Sequence, residues 1–274
     1  MTREESVMTM KPIIHSMLID QPDDNDFSFP QEFLPIVREN VPAIYDQSKK
    51  MMDLIVRYQE LIMMYSCAIK EIRTKFEVLD AEFSVRHSRN PIKSIQTRLK
   101  RSTSLIEKMK RNHIPLSVED IEENINDVAG IRVICSYIDD IYMISESLIN
   151  QGDVELLSIK DYIARPKPNG YRSLHMIVRV PVHFKNDLKY MKVEVQFRTI
   201  AMDFWATLEH ELKYKNRVED EIEIVRELTD CANIVSEADN KMLAIRKRVE
   251  ENSCARSEEE ILIEQIKKMD HPMM

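Results

Sequence analysis

Two carboxylates frame the chemistry open to this chain. Asp127 stands immediately before the apolar run VAGIRVIC, and Glu194 lies in the middle of KVEVQFRT. In the second segment a strand period of two puts Val193, Val195 and Phe197 on one face and Lys192, Glu194, Gln196 and Arg198 on the other. Glu and Gln are poor mid-strand residues, so a polar face there asks for a use beyond solvation. Carboxylates on neighbouring strands suit Mg²⁺, which prefers hard oxygens and completes its shell with water and substrate phosphates.

A second constellation is NGYRSLH, residues 169–175. Gly170 can take a positive φ without steric cost, so Pro168-Asn169-Gly170 reads as a turn that presents Tyr171 at a strand entrance, where its ring could stack on a base. Lys160, Lys167 and Arg172 are cations for phosphates, and His175 a donor for a phosphate or ribose oxygen. The chain has three glycines, Gly130, Gly152 and Gly170. Neither G-x-x-x-x-G-K-[ST] nor G-x-G-x-x-G can be written with them, so any phosphate is gripped by side chains rather than by a glycine-rich loop. From Arg86 to Arg111 the only acid is Glu107, among Arg86, Arg89, Lys93, Arg98, Lys100, Arg101, Lys108, Lys110 and Arg111. Such a local field attracts a polyphosphate. Taken singly, the turn also reads as an ordinary loop with a half-buried Tyr, and the basic stretch as a solvated helix face; both readings stay open on this evidence.

The elements that must position these groups follow from periodicity. Apolar residues recur from Met51 to Leu79 at steps of three and four, which predicts a long amphipathic helix, while Pro35 and Pro42 argue against helix before it. Ser94–Asn112 reads as helix, broken near Ser102, whose hydroxyl suits a cap. Ser117 with Asp120 predicts a capped start for SVEDIEENIN. VAGIRVICSY, VELLSIKDYI, SLHMIVRVPV and YMKVEVQFRT are strand candidates, with a helix at DDIYMISESLINQ. Helix returns at AMDFWATLEHELKYK, where Trp205 is assigned to the core and His210 to structure. A last helix, about 219–250, places Val225, Leu228, Ala232, Val235, Met242, Ile245 and Val249 at near-heptad steps, which predicts packing on the domain or on another subunit. The fold class is thus α/β (α+β), a mixed sheet of about five strands flanked by helices, with long helices at both ends.

Composition narrows the class. With 274 residues and 43% hydrophobic content the chain can bury a core. No apolar run approaches the roughly 18 residues a membrane helix needs, and the first residues lack a signal pattern, so the expectation is a cytoplasmic protein without a membrane partner. Cys67, Cys135, Cys231 and Cys254 are scattered without metal-ligand spacing and read as reduced thiols. A net charge of −8 argues against DNA and gives RNA no support.

DVAGIRVIC, KDYIARPKPNGYRSLH, VEVQFRT and MDFWATLEHELKYK, in this order and at these distances, resemble the synthetase domain of the RelA/SpoT family, over roughly residues 60 to 250. A chain of this kind is most similar to the small alarmone synthetases. The resemblance implies a nucleotidyltransferase-like fold and Mg²⁺-dependent transfer of the ATP β,γ-pyrophosphate to the ribose 3′-hydroxyl of GDP or GTP, releasing AMP and making guanosine tetra- or pentaphosphate. By motif, Arg98 and Arg132 would sandwich the adenine. Lys100, Ser104, Lys108 and Arg111 would hold the ATP phosphates, with Lys70 and Arg73 lining the same site. Asp127 corresponds to the metal ligand, and Glu194 to a second ligand and the general base. Tyr171 matches the ring that stacks on guanine; Lys160, Lys167, Asn169, His175, Gln196 and Asp203 match its surroundings.

Two departures bear on the acceptor: Ser158 stands where long relatives carry the first Arg of R-x-K-D, and Asp203 where relatives can carry Asn. No His-Asp dipeptide occurs, so synthesis without hydrolysis is expected. Residues 1–29 read as a mobile polar leader, 30–218 as the synthetase domain and 219–274 as a helical extension for oligomerisation. The resemblance also implies a homotetramer with an allosteric alarmone site. Two rival readings keep the fold and change the use: another acceptor, an adenine nucleotide or a tRNA 3′ end, or a binding module without catalysis, which the presence of both Asp127 and Glu194 disfavours.

Overall fold

The computed structural model describes residues 34–86, 89–215 and 221–253, with side chains for 48–86, 89–212 and 223–251. The leader, Cys254 and the end of the C-terminal extension lie outside the described residues. The chain divides into two units, Met1–Ile55 and Val56–Met274. In the first, the described residues are helical from Leu34 on; all that follows concerns the second unit.

Helix α1 spans Leu34–Arg86. It runs through Pro35 and Pro42, contrary to the expectation from sequence: Pro35 falls in the first turn, where its missing N–H is not needed, and Pro42 forfeits a single backbone bond within a long helix. Leu61, Tyr65, Ile72 and Phe76 are buried along one face of α1, each contributing about 1.5–3 kcal/mol of apolar burial.

The sheet has five strands in the order β1-β2-β5-β4-β3: β1 Ile92–Leu99, β2 Ala129–Cys135, β3 Glu155–Asp161, β4 Leu174–His183 and β5 Leu188–Thr199. β2 and β5 are parallel, and every other neighbouring pair is antiparallel. Strand alternation segregates the faces. Ile131, Val133, Met176, Val178, Val193, Val195 and Phe197 are buried in the core, where Phe76 of α1 meets Phe197 edge-on at 5.8 Å. The opposite face carries Arg132, His175, Glu194 and Gln196, all half-buried.

The expected helix from Ser94 to Asn112 is corrected by this sheet. Its first part is strand β1, and only Ser102–Arg111 is helix, α2. β1 is an edge strand, mostly exposed, so its polar residues leave no apolar alternation to read, and pairing with β2 overrides local propensity. Ser102 is no cap either: Arg101 occupies that position, and the Ser102 hydroxyl accepts from Tyr58 at 2.8 Å. The expected cap at α3, Val118–Asn124, is present, with Asp120 N–H donating to Ser117 Oγ at 3.0 Å. α4 covers Ile138–Ile149, α5 Ile200–Lys215 and α6 Glu221–Ser253.

α6 is tied to the domain along much of its length. Trp205 is buried, as expected, and its indole donates to Leu228 O at 2.9 Å. Thr199 donates to buried Asp239 at 2.5 Å, and Arg246 pairs with Asp139. Arg89 links Glu250 to buried Asp140, and Arg89 and Arg246 both lie against the Tyr137 ring. Met242, Ile245 and Val249 stay exposed, as do Phe204, Leu208 and Leu212 on α5. Cys67, Cys135 and Cys231 are free thiols, burial pushing the Cys135 pKa up. No helix among the described residues is long and apolar enough to cross a membrane.

Asp239 is the costly member of this brace. Burial raises its pKa, and the Thr199 hydroxyl offsets only part of that rise. A raised folded-state pKa means that ionisation opposes folding at high pH and that the penalty vanishes below the unfolded value of about 3.9. Asp239→Asn, which still accepts from Thr199, is therefore expected to raise the melting temperature at pH 8, with the gain shrinking as pH falls into the carboxylate range. Melting curves across pH check this; a uniform loss at every pH would contradict it.

Candidate active site

The polar face of the sheet forms a cleft lined by Gln96, Thr97, Arg98, Gly130, Ile131, Arg132, Glu194 and Gln196. Strand register assembles it: Gly130 faces Arg98 on one side and Glu194 on the other, and Arg132 lies opposite Gln196, which in turn faces His175. A Cβ on Gly130 would stand 3.3 Å from Arg98 Cγ, so glycine leaves room for the Arg98 side chain to lie across the strand.

Asp127, just before β2, accepts from Lys100 at 2.9 Å and from Lys108 at 2.8 Å, one lysine on each oxygen. Burial pushes its pKa up, but the hydrogen bonds and charges of Lys108 and Lys100 prevail and hold it below the ordinary carboxylate range. For Glu194, burial again raises the pKa, and His175 and Gln196 outweigh both burial and the Asp127 charge, so it too is held low. Gln196 donates to Glu194 Oε2 at 3.0 Å, and His175 Nδ1 lies 3.5 Å from Oε1. Two ionised carboxylates that feel each other's charge, with lysines beside them, fit a divalent cation whose remaining ligands are phosphate oxygens and water. Among the described residues no group of three or more His, Cys, Asp or Glu is placed to hold a metal without such help.

Arg132 reaches Asp203 Oδ1 at 3.2 Å, and Arg198 reaches the same oxygen at 2.8 Å. Burial and the Arg198 charge push the Arg132 pKa down, against the pull of Asp203. Asp203 thus stands between two arginines. Arg198 also donates to the Tyr171 hydroxyl at 2.8 Å, which lies 2.8 Å from His175 Nε2. Lys167 Nζ sits 4.7 Å from the Tyr171 ring and 4.6 Å from that of Tyr162. The aromatic residue singled out from the turn is therefore held between cations, its hydroxyl pinned on two sides.

The turn is built as expected and braced as not expected. Gly170 has φ +83°, and its N–H donates to Lys167 O at 2.8 Å. Asn169 Oδ1 accepts from Tyr171 N–H at 3.3 Å while its amide donates to Glu209 at 3.0 Å. Arg172 points away from the cleft: its guanidinium donates to Gly170 O, Ala232 O and Asn233 Oδ1, which fastens the turn to α6.

The remaining assignments are peripheral in this structure. Ser104 and Arg111 are exposed on α2, and Lys160 is exposed on β3 in register with His175. Lys70 and Arg73 are exposed on α1, and Arg73 pairs with Glu77 of its own helix. Arg198, Glu209 and Tyr162 were assigned no role from sequence. For Arg198 the signal was present, since the strand period sets it on the polar face of β5; for Glu209 and Tyr162 no local pattern announces the contact.

Fold and site together define a nucleotide-binding α/β enzyme domain. The model of the region found in RelA / SpoT proteins matches residues 97–219. The chain is 41% identical over 189 residues to GTP pyrophosphokinase YwaC of Bacillus subtilis (strain 168), covering 69% of this chain and 90% of that protein. The structure of small alarmone synthetase 2 from Bacillus subtilis superposes with a TM-score of 0.63 at 40% identity, over 70% of this chain and 98% of that one. That of small alarmone synthetase 1 from the same organism, bound to its product pppGpp, does so at 0.65 and 33%, over 70% and 97%. The chain belongs to the RelA/SpoT family.

The turn makes a direct prediction. A Cβ at residue 170 would sit 2.5 Å from Ala232 Cβ, closer than real contacts allow, on a backbone that L residues avoid. Gly170→Ala is expected to lower stability by about 1–3 kcal/mol and to raise the KM of the nucleotide bound beside Tyr171 more than that of the other. Adding Ala232→Gly relieves the collision and not the φ, so it restores part of the loss. Thermal melts and initial rates test this; unchanged melting in Gly170→Ala would mean that the turn is not braced on α6.

Proposed function

We propose that this chain is a GTP pyrophosphokinase that moves the β,γ-pyrophosphate of ATP to the ribose 3′-hydroxyl of GDP or GTP, making guanosine tetra- or pentaphosphate and AMP, without hydrolase activity. The observation that carries the reading is the convergence of two ionised carboxylates, Asp127 and Glu194, on a cleft with cations on its β1–β2 side and a pinned tyrosine on its β4 side. The names borne by the relatives support it.

In this reading Arg98 and Arg132 clasp the adenine, Lys100 and Lys108 take the ATP phosphates, and Tyr171 stacks on guanine. The reaction forms a bond from the ribose 3′-oxygen to the β-phosphorus and breaks the bond from that phosphorus to the α–β bridging oxygen, which leaves on AMP with the electron pair. Glu194 accepts the hydroxyl proton. Asp127 and Glu194 would hold Mg²⁺, which supplies charge neutralisation for the phosphates. Lys100 and Lys108 carry a second duty when no nucleotide is bound: they neutralise Asp127, so their transfer to phosphate leaves its oxygens open to a cation. The setting is cytoplasmic, and the assembly a homotetramer with a cleft for an alarmone effector, supported by the exposed apolar stripes of α5 and α6.

Purified protein given ATP, Mg²⁺ and GDP or GTP is expected to yield AMP and a guanosine product two phosphates richer, resolved by anion exchange; no such product would sink the reading in favour of another acceptor or a binding role. Glu194→Gln should cut turnover by about 10²–10⁴-fold, and near-normal turnover would remove Glu194 as the base. Because its pKa is lowered, Glu194 stays ionised until the pH falls below the ordinary glutamate value of about 4.3, so any loss of rate between pH 8 and 6 has another origin. Light scattering is expected to give a multiple of 32.3 kDa; a monomer at micromolar concentration would overturn the assembly.

A further inference from the structure

We propose that Arg198 is a positioning residue of the acceptor side: by donating to the Tyr171 hydroxyl it turns that hydroxyl's proton toward His175 Nε2, which fixes His175 with its proton on Nδ1, facing Glu194. The assignment rests on the reading that Glu194 faces the acceptor.

The direction of each bond follows from the chemistry of the groups. A guanidinium only donates. Arg198 Nη2 lies 2.8 Å from Tyr171 Oη, so that oxygen accepts there. The tyrosine's own proton then turns to its other close neighbour, His175 Nε2, also at 2.8 Å. A nitrogen that accepts carries no proton, so in the neutral ring the proton sits on Nδ1, which lies 3.5 Å from Glu194 Oε1. The opposite tautomer fails at both ends: Nε2–H would crowd the proton of a hydroxyl that already accepts from Arg198, and the Nδ1 lone pair would face a carboxylate. With Gln196 donating to Glu194 Oε2 at 3.0 Å, both oxygens of Glu194 are then oriented by donors.

Arg198 is built for this office and not for solvent. It is 5% exposed, on a core strand. Its Nη1 is fixed by Asp203 Oδ1 at 2.8 Å, leaving Nη2 for Tyr171. The Nε atoms of Arg198 and Arg132 are buried without a hydrogen-bond partner, a cost that packing alone does not call for. Asp203 is shared with Arg132, so the anchor of the acceptor chain also touches the cation across the cleft. The logic matches that of any base whose tautomer is set by a third group.

The test reads the tautomer directly. Ligand-free protein labelled with ¹⁵N-histidine, with His175→Gln to assign the signal, is expected to show His175 as the Nδ1–H form in two-bond ¹H–¹⁵N spectra. Tyr171→Phe keeps the ring and removes one oxygen, and Arg198→Met removes the donor; in each the signal should move toward the Nε2–H form that imidazole favours in water. Turnover should fall about 10–100-fold, with the KM for ATP little changed in Tyr171→Phe. An Nδ1–H signal that neither substitution shifts, or a wild-type ring protonated at Nε2, overturns the proposal. Because the spectra need no turnover, they decide the positioning role whether or not a guanosine product forms.

Discussion

The parallel pairing of β2 with β5 is the constraint on which the rest of the structure depends. It alone sets Gly130 beside Glu194 and Arg132 beside Gln196, and the antiparallel strands on either side merely extend that register to Arg98 and His175. A slip of one residue would send Glu194, Gln196 and Arg198 into the core and turn Val193, Val195 and Phe197 to solvent. The core therefore enforces the site: every buried valine on β5 is also a statement about where its polar neighbours point. Parallel neighbours require a connection across the sheet, and the stretch from β2 to β5 supplies it with α4, β3 and β4, so that the strand carrying His175 comes to lie against β5.

Electrostatics in the cleft follow a single pattern of incomplete neutralisation. Asp127 is shared by two lysines and Asp203 by two arginines. Each carboxylate orients a pair of cations while leaving one positive charge in excess, and burial makes that excess expensive enough to shift the Arg132 pKa. A protein selected only for stability would match these charges or replace them with apolar groups. An anionic ligand removes the cost on arrival, because it brings the missing negative charge into a site already oriented to receive it.

Much of this was legible in the residues and some of it was not, for reasons that can be named. β4 and β5 were readable because one face is core, so apolar residues alternate without interruption. β1 was misread as helix because an edge strand buries little: Ile92 is its one buried residue, and Arg98, Lys93 and Gln96 look the same in a solvated helix. Asp127, Glu194 and Tyr171 were visible as polar or aromatic residues at strand positions that do not favour them. What sequence could not convey was pairing across the chain: that Arg172 turns back to Ala232, that Arg73 stays with Glu77, or that Tyr171 is held by its hydroxyl. These are choices among donors and acceptors made only after the backbone is in place.

The C-terminal helix is the clearest case of such a choice, and it changes the meaning of that segment. Read as a heptad pattern, α6 looks like an assembly element added to a finished domain. In the fold its inner face carries Ala232, the small residue against which the Gly170 turn closes, and Asn233, which takes the Arg172 guanidinium. Glycine at 170 and alanine at 232 are two halves of one close contact: any larger side chain at 232 would press on the turn from outside as a Cβ at 170 would from within. The same helix holds Thr199, which caps α5 through Met202 N–H, by way of Asp239. The turn that carries Tyr171 and the end of the strand that carries Glu194 therefore rest on one helix, whose outer face is apolar and exposed at Met242, Ile245 and Val249. A partner seated on that outer face would bear on a helix that already positions both sides of the acceptor pocket, so assembly and acceptor geometry share a single mechanical element.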